Sequence, residues 1–282
     1  MRLTEKELFE LLEIAKRAAR LAADVHSRAL ASGEFEVETK RSSSDLVTRV
    51  DRESEHELVK AIRAARPDDE IIGEEGTSVS GTSGVRWILD PLDGTTNFIH
   101  RYPFHSVAVG VEVDGRNVVG VVHDTFKDRV YVGVIGHGAM CDDKPIRVRN
   151  DSSLRDALIG TGFLPNEEVR RAQAELLRQV LPQVRDIRRS GCPSLDICSV
   201  ASGTLSGFYE CGLGPWDICA AAAIAEAAGA TVSLLHSTIF PNPFLIVANA
   251  ELTSALTSLF VDAKSVEPTT SCANKQNQQS TS

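Results

Sequence analysis

Residues 87–98 read Trp-Ile-Leu-Asp-Pro-Leu-Asp-Gly-Thr-Thr-Asn-Phe, which sets two carboxylates, Asp90 and Asp93, either side of a proline. Carboxylates this close repel each other, and a fold that buries them needs something to offset the repulsion. The apolar "RWIL" run predicts a buried strand that delivers Asp90 at its carboxyl end. Pro91 stops that strand from pairing further. Leu92 turns, so its carbonyl points the same way as the flanking carboxylates. Gly94 permits a tight turn before a short helix starting at Thr95. The oxygens suit a hard cation such as Mg²⁺, and the free N–H groups of the helix start suit an anion such as phosphate. Taken alone, "DPLDG" is equally compatible with a surface turn in which Asp has its ordinary turn role.

Other acidic segments shift that balance. "IIGEEG" puts Glu74 and Glu75 just after a strand, where an exposed acidic turn is the alternative. "DLVTRVD" carries Asp45, read as a helix N-cap, and Asp51, on the helix itself and open to solvent or to a supporting role. "GPWDICAAAAIAEAAGA" places Asp217 in the first turn of an Ala-rich helix. The helix dipole alone favours an acid there, but Trp216 beside it and the apolar helix behind it argue for a buried location.

The chain has 282 residues, 42% hydrophobic content and a net charge of −9. That is enough for a substantial core in one or two domains. The acidic balance argues against nucleic-acid or membrane-surface partners, which need positive fields. The basic cluster at Arg185, Arg188 and Arg189 reads as a solvated strand edge or helix end. No apolar run approaches the ~18 residues of a membrane span, and the charged N-terminus lacks a signal-peptide core, so a soluble cytoplasmic protein is expected. The six cysteines form no CxxC pair and read as reduced, packed residues. No Ser/His/Asp or Cys/His arrangement and no Walker-type loop is present. His100 and His105 are assigned packing or loop roles.

Apolar spacing predicts a helix over 4–31 and a second from about Leu46 to Ala65, capped by Ser44 or Asp45. Strands follow, with a two-residue hairpin at Asp114-Gly115. After about Asn150 strands and helices alternate, which argues for an α/β layer structure. The expected organisation is an α+β half over 1–150, an α/β half over 151–261 and a polar, disordered tail over 262–282.

Taken in order, "DLVTRVD", "GEEG", "WILDPLDGTTNF" and "GPWDICAAAAIAEAAGA" resemble the inositol monophosphatase family, over about residues 5–260. The resemblance implies an αβαβα sandwich with the metal site between the two halves. It implies a Mg²⁺-dependent, typically Li⁺-sensitive phosphomonoesterase using two or three ions, with Mn²⁺ able to substitute, and commonly a homodimer. Carried over by motif, Glu74, Asp90, the Leu92 carbonyl, Asp93 and Asp217 match metal ligands, with Asp90 bridging two ions. Gly94 and Thr95 match positions whose N–H groups hold phosphate. Thr95 and Glu74 match the pair that positions the attacking water, Asp51 a supporting position, and Lys40 one near the phosphate approach. Glu210 matches a carboxylate that accepts polyol hydroxyls. The implied substrate is a small phosphorylated polyol, first inositol-1-phosphate. Histidinol phosphate and a 3′-phosphoadenosine nucleotide are alternatives, as is a regulatory binding role on the same scaffold. The chain departs from the family at Gly191-Cys192-Pro193, where inositol phosphatases often have Gly-Thr-Ala. The expectation is a changed polyol pocket with the metal chemistry untouched.

Overall fold

Thr4 and Glu7 cap each other at the start of α1 (Glu5–Ser32), and Gly33, at φ 72°, ends it with its N–H on Ala29 O. The computed structural model describes residues 3–33, 37–39, 46–236, 240 and 243–262. After α1, two short strands, β1 (Val37–Thr39) and β2 (Leu46–Thr48), pair antiparallel. Helix α2 (Arg49–Ala65) follows. Its N-cap is Thr48, whose side chain accepts from Val50 N while Asp51 reaches back to the Thr48 N–H. The expected start near Leu46 is therefore corrected: 46–48 is strand, because the Thr48–Asp51 capping box fixes the first turn there. Ser44 and Asp45 lie outside the described residues.

The next segments are β3 (Glu70–Gly73), β4 (Ser78–Val79), β5 (Val85–Asp93), α3 (Thr95–Ile99), β6 (Ser106–Val113), β7 (Arg116–Asp124), β8 (Arg129–Val134), β9 (Gly138–Cys141) and β10 (Lys144–Ile146). They build an eight-stranded sheet in the order β10-β9-β8-β7-β6-β5-β3-β4. The β6–β7 connection is the expected hairpin, with Asp114 at φ 51° and Gly115 at φ 75°, the twist a two-residue turn requires. The chain continues through β11 (Leu158–Thr161), α4 (Glu167–Val180), β12 (Asp186–Arg188), α5 (Pro193–Ala201), β13 (Gly207–Cys211), α6 (Pro215–Ala227), β14 (Thr231–Leu235), β15 (Phe244–Ala248) and α7 (Ala250–Asp262). Its five-stranded sheet runs β12-β11-β13-β15-β14. Strands β12, β11 and β13 are parallel, and β15 is antiparallel to both its neighbours.

Three apolar interfaces stack these elements into α, β, α, β and α layers. Leu11, Ala15 and Ala18 of α1 and Leu58 and Ile62 of α2 pack on Trp87, Val109 and Val121 of the first sheet. Between the sheets, Leu195 and Ile197 of α5 and Ala221 and Ile224 of α6 meet Ala108, Val122, Phe208 and Leu245. On the far face, Ile159, Tyr209 and Phe244 pack with Leu176 of α4 and Leu256 and Phe260 of α7. Strand period explains the division on β6: Val107, Val109 and Val111 face α1 and α2, while Ala108 faces the middle layer.

The middle layer is unusually close. Gly110, Gly120 and Gly133 stand opposite one another on β6, β7 and β8, and α6 lies across this row. A methyl group added at Gly120 would run into the Ala220 carbonyl oxygen, and one at Gly110 into the Cys219 side chain. The row of bare backbone lets an Ala-rich helix touch the sheet, and this fixes where the amino end of α6 points. Cys141, Cys192, Cys198, Cys211 and Cys219 are free thiols, and Cys272 lies outside the described residues. Among the described residues no helix is long and apolar enough to cross a membrane.

Candidate metal centre

Asp90 and Asp93 close β5. In a regular strand, residues three apart point to opposite faces. Here Asp90 pairs with Ala108 and Asp93 with Ser106, so three steps along β5 span two along β6. The bulge, at the Pro91-Leu92 step, changes the phase and brings both carboxylates to the face covered by α5 and α6. Both are buried, at 1% and 4% exposure.

Glu74 arrives from the other side. Strand β3 runs parallel to β5 with Gly73 opposite Leu89, and the Glu74 N–H continues the ladder to Leu89 O at 3.1 Å. That register sets Glu74 beside Asp90. Asp217, at the third position of α6, accepts the Gly214 N–H through Oδ2 at 2.6 Å. The capping role expected of it is real, and it coexists with a place at the centre. One oxygen each from Asp90, Asp93 and Asp217 lies within 4.8 Å of the others.

The electrostatics are adverse. Burial pushes the Asp90 carboxyl well above the usual carboxylate range, and the charges of Glu74, Asp93 and Asp217 push the same way. Oδ1 accepts the Leu92 N–H at 3.1 Å, but Oδ2 has no hydrogen-bond donor. Buried polar atoms are rarely left so. An orphaned oxygen among all-oxygen neighbours fits a hard divalent cation.

Asp93 is better served. Burial raises it, while the Ser194 and Cys192 side chains, the Ser194 N–H and the Gly94 N–H lower it. The Ser194 N–H donates to Oδ2 at 2.7 Å and the Cys192 thiol at 3.0 Å. Ser194 lies in the first turn of α5, whose dipole favours the negative charge, and its hydroxyl also meets Ser106 Oγ at 2.7 Å. This corrects the sequence reading of Gly191-Cys192-Pro193. The departure does touch the metal side, because Cys192 supports Asp93 directly and Pro193 opens α5 so that Ser194 reaches it.

Thr95 stands at the start of α3, its Oγ1 3.1 Å from both Leu92 O and Asp51 Oδ1. One hydroxyl proton serves only one of them at a time. Asp51 is 1% exposed, not solvated. Its other oxygen holds the Thr48 N–H at 2.7 Å and the Thr48 hydroxyl. Gly94 adopts φ 86°, and a Cβ there would sit 3.0 Å from Phe104 O, so the turn demands glycine. Lys40 lies outside the described residues.

Glu210, on β13, is 8% exposed. Burial and the charge of Asp217 raise it to about 8, against the pull of Arg189. Several supports had no signal in the sequence reading. Asn97 Nδ2 lies 2.7 Å from Phe104 O and 2.8 Å from Ser190 O, tying the motif to the 190–192 loop. His26, buried in α1, donates Nε2–H to Pro91 O at 2.9 Å. Asp196 accepts the Ser190 hydroxyl. The Asn97–Ser190 and His26–Pro91 bonds join residues far apart in the chain, and only a known register reveals them. His105 is buried against Phe98, and Arg185 and Arg188 are exposed on the edge strand, paired with Asp156 and Asp186.

These buried acids set a pH dependence. Glu210 is raised from 4.5 to about 8 and Asp196 from 3.8 to about 7. The folded chain keeps these protons where the unfolded chain has lost them. Their contribution to metal-free stability therefore falls as pH climbs from about 4 to 8. His26 and His105, lowered from 6.5 to about 3 and about 4, are neutral when folded, so stability also falls as pH drops below about 6.5. Glu210→Gln is expected to lessen the fall on the alkaline side, leaving the part due to Asp196 and the acid side unchanged. Melting temperatures in EDTA across this range check it, and an unchanged alkaline slope would refute the burial of that charge.

Solved structures share this architecture. The Bartonella henselae extragenic suppressor protein suhB aligns with TM-score 0.83 at 30% identity, covering 89% of this chain and 98% of that one. Inositol monophosphatase from Anabaena aligns with TM-score 0.78 at 30% identity, covering 91% and 97%. Inositol-1-monophosphatase SuhB of Mycobacterium tuberculosis is 42% identical over 211 residues, 72% of this chain and 73% of that protein. Nus factor SuhB of Pasteurella multocida is 37% identical over 225 residues, 79% and 84% respectively. Fold and relatives define a phosphomonoesterase on a layered αβαβα scaffold. The family model for the inositol monophosphatase family matches residues 7–265, and the chain belongs to that family.

Proposed function

We propose that this protein hydrolyses a small phosphate monoester, inositol-1-phosphate before others, with Mg²⁺ and by direct in-line attack of water. The observation that carries the reading is the convergence of Asp90, Asp93 and Asp217, with Asp90 Oδ2 buried and left without a hydrogen-bond donor. Glu74, Asp90, the Leu92 carbonyl, Asp93 and Asp217 would hold the ions. Divalent ions supply the positive charge that a phosphate dianion and its attacking water require. Thr95, its hydroxyl donating to Asp51, would present lone pairs that orient a water, and Glu74 would accept that water's proton. The N–H groups of Gly94 and Thr95 would hold the phosphate oxygens, the Gly94 N–H being shared with Asp93. Glu210 accepts the polyol hydroxyls, a task that suits a carboxylate. The same reading makes the protein a cytoplasmic, Li⁺-sensitive homodimer.

The test is phosphate release from inositol-1-phosphate, histidinol phosphate and a 3′-phosphoadenosine nucleotide, with Mg²⁺, with EDTA and with Li⁺. Turnover in Mg²⁺, its loss in EDTA and its reduction by Li⁺ are expected, with inositol-1-phosphate preferred. A second reading, a regulatory role on the same scaffold, is favoured by the likeness to proteins named Nus factor SuhB. No release from any ester in Mg²⁺ would select it.

A further inference from the structure

Helix α2 brings two acids to the centre, one turn apart. Asp51 is occupied by Thr48 and Thr95. Glu55, four residues on and 5% exposed, turns its carboxylate the other way. Oε2 accepts the Glu75 N–H at 2.8 Å and Oε1 the Thr77 N–H at 3.0 Å. These amides belong to the turn that leaves β3, which the Gly73 N–H closes onto Thr77 O at 2.9 Å. Gly73 lies directly against Glu55, and a Cβ there would collide with the carboxylate at Oε2 and Cδ.

The arrangement brackets Glu74. On one side its own N–H is fixed to Leu89 of β5. On the other, the next residue's N–H is fixed to Glu55. Neighbouring peptide units held to two different elements leave Glu74 little freedom to move away from Asp90, although the two charges repel. A buried carboxylate that receives two backbone donors is a stiff anchor, since charge-assisted bonds of this kind are stronger than neutral ones. An exposed turn would otherwise relax to separate the acids. We propose that Glu55 is a positioning residue: by gripping the 75–77 backbone it holds Glu74 against Asp90 and so sets the affinity of the centre for its divalent cation. The inference rests on the reading of the acidic cluster as a metal centre.

Two substitutions loosen the grip from opposite sides. Glu55→Gln keeps the size but turns one acceptor into a donor that faces an N–H. Gly73→Ala leaves Glu55 in place and displaces its carboxylate, the mobile end of a flexible side chain. Mn²⁺ binding is measured by calorimetry without substrate. Mg²⁺ half-saturation, and the KM for inositol-1-phosphate at saturating Mg²⁺, are measured by phosphate release. Both variants are expected to bind Mn²⁺ about tenfold more weakly, comparable with the loss of other residues that orient metal ligands. Mg²⁺ half-saturation should rise in parallel, with KM within about twofold of wild type. Unchanged Mn²⁺ affinity in either folded variant, even at a lower melting temperature, would reduce Glu55 to a structural cap and overturn the proposal. A wild-type protein that binds no Mn²⁺ would instead overturn the metal reading beneath it.

Discussion

Asp90→Asn is expected to melt a few degrees higher than wild type in EDTA while its turnover falls by about 10³-fold or more. The two effects have one cause. Asp90 is buried among Glu74, Asp93 and Asp217, whose charges add to the cost of ionising it. Asn is nearly the same size, and its oxygen still accepts the Leu92 N–H that Oδ1 holds at 3.1 Å. Its Nδ2 replaces the oxygen that has no donor and offers protons to the acids around it. The neutral amide no longer has to hold a proton that the unfolded chain would release, and a gain of about 1–2 kcal/mol would move a chain of this size by several degrees. The same change removes the carboxylate that would bridge the ions, and ~4 kcal/mol of lost transition-state stabilisation corresponds to that fall in rate. Mg²⁺ should raise the melting temperature of the wild type by linkage and hardly move the variant. Calorimetric scans with EDTA and with Mg²⁺, beside phosphate release, separate the effects. A variant that melts below wild type in EDTA would show that the acids are not in conflict.

Gly120→Ala is expected to destabilise by about 3 kcal/mol, on the order of 10 °C in melting temperature, and to weaken metal binding as well. The added methyl meets the Ala220 carbonyl, a backbone atom of α6. No rotamer change relieves such a clash, so the helix must lift from the sheet. Asp217 rides at its amino end and would leave Asp90 and Asp93. Gly84→Ala is the comparison for glycine's own backbone role, since nothing stands within 4 Å of a Cβ there and its φ is 82°. It should cost backbone strain yet leave metal affinity unchanged. Thermal melts and Mn²⁺ calorimetry on both variants check this. Equal metal affinity in Gly120→Ala and wild type would mean that α6 does not depend on the glycine row for its position.

Much of the architecture was legible because it is written in local patterns. The apolar stripe of α1, the Asp114-Gly115 turn and the strand–helix alternation after Asn150 each follow from nearby residues. The metal candidates were legible as motifs, but their convergence was not. Period-two alternation puts Asp90 and Asp93 on opposite faces, and only the bulge found between them reverses that. The N-cap of α2 was misplaced because Ser44, Asp45 and Thr48 are all good caps, and the partner that decides is Asp51. Ser194 and Cys192 stood in a segment read for its missing threonine. Their bonds to Asp93 cross about a hundred positions of chain, beyond any local rule. Gly110, Gly120 and Gly133 carry no local signal of their role, and only the strand register sets them side by side.

The groove of bare backbone that receives α6 also has a meaning in time. Ribosomes add about 5–20 residues per second, so roughly ten seconds pass between the making of Asp93 and of Asp217. Throughout that interval a half-synthesised molecule carries crowded acids on β5 with neither α5 nor α6 to cover them. Until those helices arrive, water solvates the charges, so the cost of crowding them falls due only when the second half of the chain closes over the first.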